Sequence, residues 1–135
     1  MKVKEELNKL RETFMLFENP KDKFVQLMDM AKQSQNLDIS EKSDLNKVNG
    51  CTSQAWVIVE PNNDGTFTIR ADSDALIVKG LLTILEIIFT NKVIEEILST
   101  DSQDILNSVG LENVITSQRT NGFSNAVKKI HSLVK

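Results

Sequence analysis

Between Ala75 and Phe89 only Lys79, Gly80, Thr83 and Glu86 are not apolar, and no other stretch constrains the fold as strongly. A helix that is hydrophobic on nearly every side has to be surrounded by protein. The other elements are therefore expected to wrap around it. A membrane span is excluded, because the run falls short of the roughly 20 residues that cross a bilayer and Lys79 and Glu86 interrupt it. Asp72, Ser73 or Asp74 can cap this helix, since a short side-chain oxygen satisfies free N–H groups in a first turn. Lys79 is expected to extend its ammonium to solvent along its apolar stem.

Amphipathic partners for that helix lie on both sides of it. From Lys4 to Phe17 the apolar residues Leu7, Leu10, Phe14 and Phe17 recur at helical spacing. Asn19 and Pro20 form a cap and first-turn pair before a second stripe of Phe24, Leu27, Met28 and Ala31. Two helices so tightly joined are expected to pack as a hairpin. Val93 to Leu98 and Ile105 to Val109 predict two short helices, with Ser99, Thr100, Asp101 and Ser102 as cap residues between them. Phe123, Val127, Ile130 and Val134 share one face of a last helix that runs from Asn121-Gly122 to the C-terminus. His131 on it is read as a surface or helix-end residue without a role.

The β signal is confined to the middle. Ala55 to Glu60 carries Trp56, Val57, Ile58 and Val59, and Pro61-Asn62-Asn63-Asp64-Gly65 turns it onto Thr66 to Ala71. In the second strand Phe67, Ile69 and Ala71 alternate with Thr66, Thr68 and Arg70, which implies one buried and one wet face. Trp56 is expected to fill the core, and Lys47-Val48 to add a short third strand through the Asn49-Gly50 turn. Gln33 to Asn46 is polar, with Leu37, Ile39 and Leu45 as apolar anchors, and reads as a surface loop. The whole predicts an α+β fold, a small antiparallel three-stranded sheet packed against several helices, in a single domain spanning 1–135.

A net charge of −3 offers no broad cationic field to a phosphate backbone, so nucleic acid is not expected as a partner. Met1 to Arg11 mixes Lys and Glu with apolar residues and lacks the hydrophobic region of a secretory signal. One cysteine and one histidine are too few for a zinc site or an iron–sulfur cluster held by this chain alone. A cytoplasmic protein without membrane contact is the expectation.

That cysteine, Cys51, sits in Asn49-Gly50-Cys51-Thr52-Ser53, between a polar loop and a strong strand. A lone cysteine is commonly a small buried hydrophobe. A turn thiol beside Gly50, where the backbone tolerates tight conformations, can instead be reached by a partner. Its reactive form is the thiolate. Transfer of an already activated sulfur between two thiols needs neither a general base nor a metal, by analogy with thiol–disulfide exchange. The absence of a second cysteine counts against a self-resolving dithiol enzyme.

Val48 to Trp56, with its Gly-Cys-x-Ser-x-x-Trp run, then Asp72-Ser73-Asp74-Ala75-Leu76-Ile77-Val78-Lys79-Gly80-Leu81, then Arg119 to Gly122, resemble the signature regions of the SufE family in order. The resemblance spans about Asn46 to the C-terminus. It implies a sheet-and-helix fold like that of the scaffold IscU, a persulfide acceptor at Cys51, and supporting roles for Gly50, Ser53, Asp74, Arg119 and Gly122. It also implies a SufS-type cysteine desulfurase as partner, a SufBCD-type scaffold downstream, and no cofactor on this chain, pyridoxal phosphate belonging to the desulfurase. Where the family pattern has Pro-Ser before the arginine, this chain has Ser117-Gln118, so the loop entering the last helix is expected to differ in shape.

Each supporting residue also has an ordinary reading. Asp74 can be a helix cap that positions the cysteine loop, and Arg119 a solvated charge, though a guanidinium near Cys51 would favour a thiolate and its persulfide. Three further functions stay open: a CsdE-like paralogue serving another acceptor, a regulatory module that binds a desulfurase without carrying sulfur, and, remotely, a one-cysteine peroxidase. Monomer and homodimer are equally compatible with the sequence.

Overall fold

The structure is a computed structural model that describes residues 2–135; Met1, read above with the N-terminal stretch, lies outside the described residues. The elements in chain order are α1 (Val3–Phe14), α2 (Pro20–Gln33), β1 (Ala55–Pro61), β2 (Thr66–Ser73), α3 (Leu76–Phe89), β3 (Lys92–Val93), α4 (Ile94–Leu98), α5 (Ser102–Val109) and α6 (Ser117–Val134), with a 3-10 turn at Ile39–Glu41. They form an α+β fold around an antiparallel sheet in the order β1-β2-β3.

α3 is the hub. Leu81, Leu82, Ile84, Leu85, Ile88 and Phe89 are all buried, and they share one cluster with Phe14 of α1, Leu27 of α2, Val57 and Ile69 of the sheet, and Ile130 of α6. α2 packs along α3, and the two approach so closely that a Cβ on Gly80 would overlap the backbone carbonyl of Leu27. α1 packs chiefly on α5. The expected α1–α2 hairpin therefore does not form: α3 offers apolar surface on several sides, and each stripe is satisfied away from the other helix. Among the described residues, no helix is long and apolar enough to cross a membrane.

β1 and β2 pair from Ala55↔Ser73 to Pro61↔Phe67. The third strand is β3, whose Lys92 and Val93 pair with Phe67 and Thr66. Lys47, expected there, makes only an isolated bridge to Trp56 on the opposite edge. Beyond β3 the outer edge of β2 is closed by side chains: Ile69 N–H donates to Thr90 Oγ1 at 3.1 Å, and Ala71 N–H to Glu86 at 3.2 Å. Those side chains stand in for a strand and leave few free edge groups to template foreign pairing.

The second face of the hairpin, expected to be wet, is only partly so, with Thr66, Thr68 and Arg70 half-buried. Residues 34–47 cross it as a strap, in which Arg70 makes a two-pronged pair with Glu41 (Nη2 to Oε1 2.9 Å) and Leu37 is buried. Trp56 projects to this face and is buried outside the main core cluster, with the Lys42 ammonium 5.4 Å from its ring centroid. The strand register decides this, since Ala55 and Val57 take the core side and alternation sends Trp56 the other way. Ile39 and Leu45 are 91% and 84% exposed, so of the three expected anchors Leu37 alone serves.

Candidate functional site

Cys51 lies in a turn whose base is closed by two backbone hydrogen bonds, Val48 N–H to the Ala55 carbonyl (2.8 Å) and Val57 N–H to the Asn46 carbonyl (2.9 Å). At the bend Gly50 takes φ +78°, a conformation that side chains disfavour. A Cβ there would also overlap the Asn125 amide of α6. The positive φ therefore favours glycine at 50, and any side chain there would also displace the Asn125 amide.

The thiol points to α6. Gly122 sits inside that helix, where a Cβ would stand 3.0 Å from Cys51 Sγ. Cys51 is half-buried and lines a small cavity of about 10 Å³, near the smallest space that admits a water. Val78, Leu81, Leu82, Phe123 and Ala126 form its apolar wall. Gln118 and Arg119 supply its polar side, together with Thr52. Ser53 is half-buried in the same turn and does not line the cavity.

Arg119 stands in the first turn of α6, its N–H donating to the capping Thr116 Oγ1 at 3.3 Å. Among the described residues its guanidinium has no carboxylate partner within ion-pair distance. α6 begins at Ser117, about a turn earlier than its apolar face suggests, so Ser117-Gln118 are helical and not an entry loop. Thr116 determines that start by satisfying a first-turn N–H. Residues 118/119, 122/123 and 126 then form one stripe at helical spacing, the signal that could have found Gln118 and Ala126 in the sequence.

Asp74 caps no helix. α3 starts after Ala75, which has no side-chain cap, and Asp74 turns toward the cysteine segment instead. Gln54 N–H donates to Asp74 Oδ1 at 3.1 Å, and Asp74 N–H returns a bond to the Gln54 carbonyl at 3.1 Å. Ser73 Oγ donates to that same carbonyl at 2.7 Å. The hairpin register brings Gln54 opposite Asp74, one step beyond the Ala55↔Ser73 pair.

Lys79 does not reach solvent. It is buried on α3, its Nζ 3.4 Å from Asp72 Oδ1 and hydrogen-bonded to Asn36 Oδ1. Burial alone would raise the Asp72 carboxyl, but the N–H groups of Leu37 and Ser73 and the Lys79 ammonium outweigh it and hold the group below its ordinary value. Glu86 goes the other way, raised by burial despite hydrogen bonds from Ser34 and Ala71.

Known proteins resemble this chain over nearly its whole length. Residues 8–134 match the SufE family, described as an Fe-S metabolism associated domain. An uncharacterised SufE-like protein of Rhizobium meliloti (strain 1021) is 30% identical over 129 residues, which cover 93% of this chain and 92% of that protein. A second uncharacterised SufE-like protein, from Rhizobium etli, is also 30% identical, over 132 residues covering 96% and 89%. The solution structure of a hypothetical protein from Thermus thermophilus superposes with a TM-score of 0.78, covering 96% of this chain and 93% of that one at 18% identity, a likeness of fold. The family match takes in the cysteine turn, the α6 stripe and the Asp72–Asp74 segment alike, and the chain belongs to the SufE family, whose domain is associated with iron–sulfur metabolism.

Proposed function

We propose that this protein receives a sulfane sulfur on Cys51 from a SufS-type cysteine desulfurase, stimulates that enzyme by removing its product, and hands the sulfur to a SufBCD-type scaffold for iron–sulfur cluster assembly. The observation that carries the reading is the setting of the thiol: half-buried on a glycine turn, against an apolar wall, beside an arginine that has no carboxylate partner among the described residues. In the transfer, the Cys51 thiolate attacks the terminal sulfur of the donor's persulfide. One S–S bond forms as the donor's S–S bond breaks, and the donor cysteine leaves as a thiolate. No net oxidation occurs, so neither metal nor redox cofactor is called for, and pyridoxal phosphate does its work on the partner.

Arg119 suits the product. A persulfide is an anion near neutral pH, and Arg119, a residue that lines the same cavity, brings a positive charge to its neighbourhood. The apolar wall suits storage, since a persulfide kept from water is kept from reductants and oxidants. A cavity of only about 10 Å³ does not hold a donor sulfur beside Cys51, so transfer within it calls for the turn to lift away from α6. A reducing cytoplasm fits a chain that works through a single free thiol.

Mass spectrometry after incubation with a SufS-type desulfurase and cysteine tests the reading, which expects a gain of about 32 Da on Cys51, one sulfur per exchange. No gain would sink it. Cys51→Ser is expected to abolish stimulation of the desulfurase; stimulation that survives would point to a regulatory module that carries nothing.

A further inference from the structure

The segment that carries Cys51 is fastened at its two ends to consecutive residues where β2 ends, Asp72 at the start and Ser73 and Asp74 at the finish. At its start Leu37 N–H donates to Asp72 Oδ2 at 2.9 Å. At its finish Gln54 is held by Ser73 and Asp74 through the three hydrogen bonds described above. Asp72 is the inner member of this clasp, 3% exposed, its Oδ1 accepting from Ser73 N–H at 2.8 Å. Lys79 faces it from α3 and reaches over to Asn36, next to Leu37 in the strap. Two turns along the same helix, Glu86 accepts from Ser34 Oγ at 2.7 Å.

Packing alone does not locate the strap. Between 34 and 47 Leu37 is buried, while Ile39 and Leu45 stand in solvent. The pairs farther out, Arg70–Glu41 and Lys42–Asp72 (3.6 Å), involve side chains about a quarter to a third exposed on the cationic or glutamate side. Pairs at such sites are screened and hold position weakly. The Lys79–Asp72 pair is dry by comparison, with side chains 8% and 4% exposed. Desolvating two charges offsets most of their attraction, so what a buried pair of this kind supplies is a defined geometry more than net stability.

We infer that Asp72 and Lys79 are positioning residues for Cys51: their buried pair anchors the root of the strap and thereby sets the resting place of the cysteine turn against α6. The inference rests on the reading of Cys51 as the reactive thiol. Releasing the root loosens residues 34–45 and the Ser73-Asp74 corner that holds Gln54, so the cysteine turn, still tied to β1 through Asn46 and Val48, leaves α6 more often without unfolding of the core.

The test is the rate at which iodoacetamide alkylates Cys51 in the full-length protein, followed by mass, with no partner present. Asp72→Asn and Asn36→Ala are each expected to raise that rate, Asp72→Asn by about tenfold through local opening. The increase should not depend on urea below the unfolding transition, because a local opening exposes little surface. Lys92→Met, which breaks the other buried pair (Lys92 Nζ to Glu6 Oε2, 3.1 Å), serves as a destabilised control and should show only the urea-dependent component. Alkylation at the unaltered rate in Asn36→Ala and Asp72→Asn, or an increase that climbs with urea as in the control, overturns the inference. Asn36 is exposed, so that variant decides the matter if Asp72→Asn fails to fold. Sulfur loading by a desulfurase is measured separately: a chain that gains no sulfur yet shows the alkylation pattern defeats the relay reading alone, and the reverse result defeats the clasp alone.

Discussion

A methyl group at position 122 would crowd the sulfur of Cys51 at 3.0 Å, closer than carbon and sulfur normally approach. Because α6 is anchored in the core at Val127, Ile130 and Val134, the cysteine turn is the part that yields. Gly122→Ala is therefore expected to push the thiol outward and speed its alkylation several-fold with little change in melting temperature, since alanine also favours the helix by about 1 kcal/mol over glycine. Slower or unchanged alkylation would show that the helix moves instead. Asp74→Ala removes the acceptor for Gln54 N–H and leaves the two backbone-carbonyl bonds in place. Losing one exposed hydrogen bond of about 1 kcal/mol raises the opening equilibrium roughly fivefold, and hydrogen exchange at Gln54 should report it. Protection at Gln54 equal to that of the unaltered chain would remove Asp74 from the account of the turn.

Helix α3 imposes two kinds of demand on its neighbours. Its apolar sides collect α1, α2, α6 and the sheet, whereas Lys79, Thr83 and Glu86, spaced at i, i+4 and i+7, make a polar rib. Lys79 and Glu86 of that rib meet Asn36, Ser34 and the end of β2, so two of the residues that interrupt the hydrophobic run hold the strap and help close the sheet edge, while Thr83 bonds back to the Lys79 carbonyl. Glycine at 80 is required by α2: Gly80→Ala would drive a methyl into the backbone of Leu27. Overpacking of this kind costs about 1–3 kcal/mol. A drop of several degrees in melting temperature is expected, and an unchanged midpoint would mean that α2 can slide away.

At the scale of the whole molecule, pH distinguishes the buried carboxyl of Asp72 from the half-buried one of Glu86. Asp72 has its folded pKa below the unfolded one, so its contribution to stability is complete above the unfolded value and is lost as pH falls through the folded value. Glu86 has its folded pKa raised, so its contribution is present below the unfolded value and is lost as pH rises through the folded one. Urea titrations across the acid range should show Asp72→Asn flattening the loss of stability at low pH. Glu86→Gln should gain on the unaltered chain as pH climbs past the ordinary glutamate range. Parallel curves for the variants and the unaltered chain would contradict both assignments. Among these elements, those written as local patterns could be read without coordinates: the run of α3, the stripe of α6, the Asn19-Pro20 start of α2, the β1–β2 hairpin, and the cysteine on its glycine turn. What could not be read was which surface each pattern meets. Trp56 went to the strap side because register assigned Ala55 and Val57 to the core. Asp74 turned to Gln54 because the hairpin brought that residue opposite it, and Lys79 stayed inside because Asp72 and Asn36, distant in the chain, were folded onto it. Periodicity and turn chemistry act over a few residues and so are legible in the chain itself. The pairing of a buried charge, the facing of a strand and the shielding of a thiol depend on groups that only the tertiary structure brings within a few ångströms.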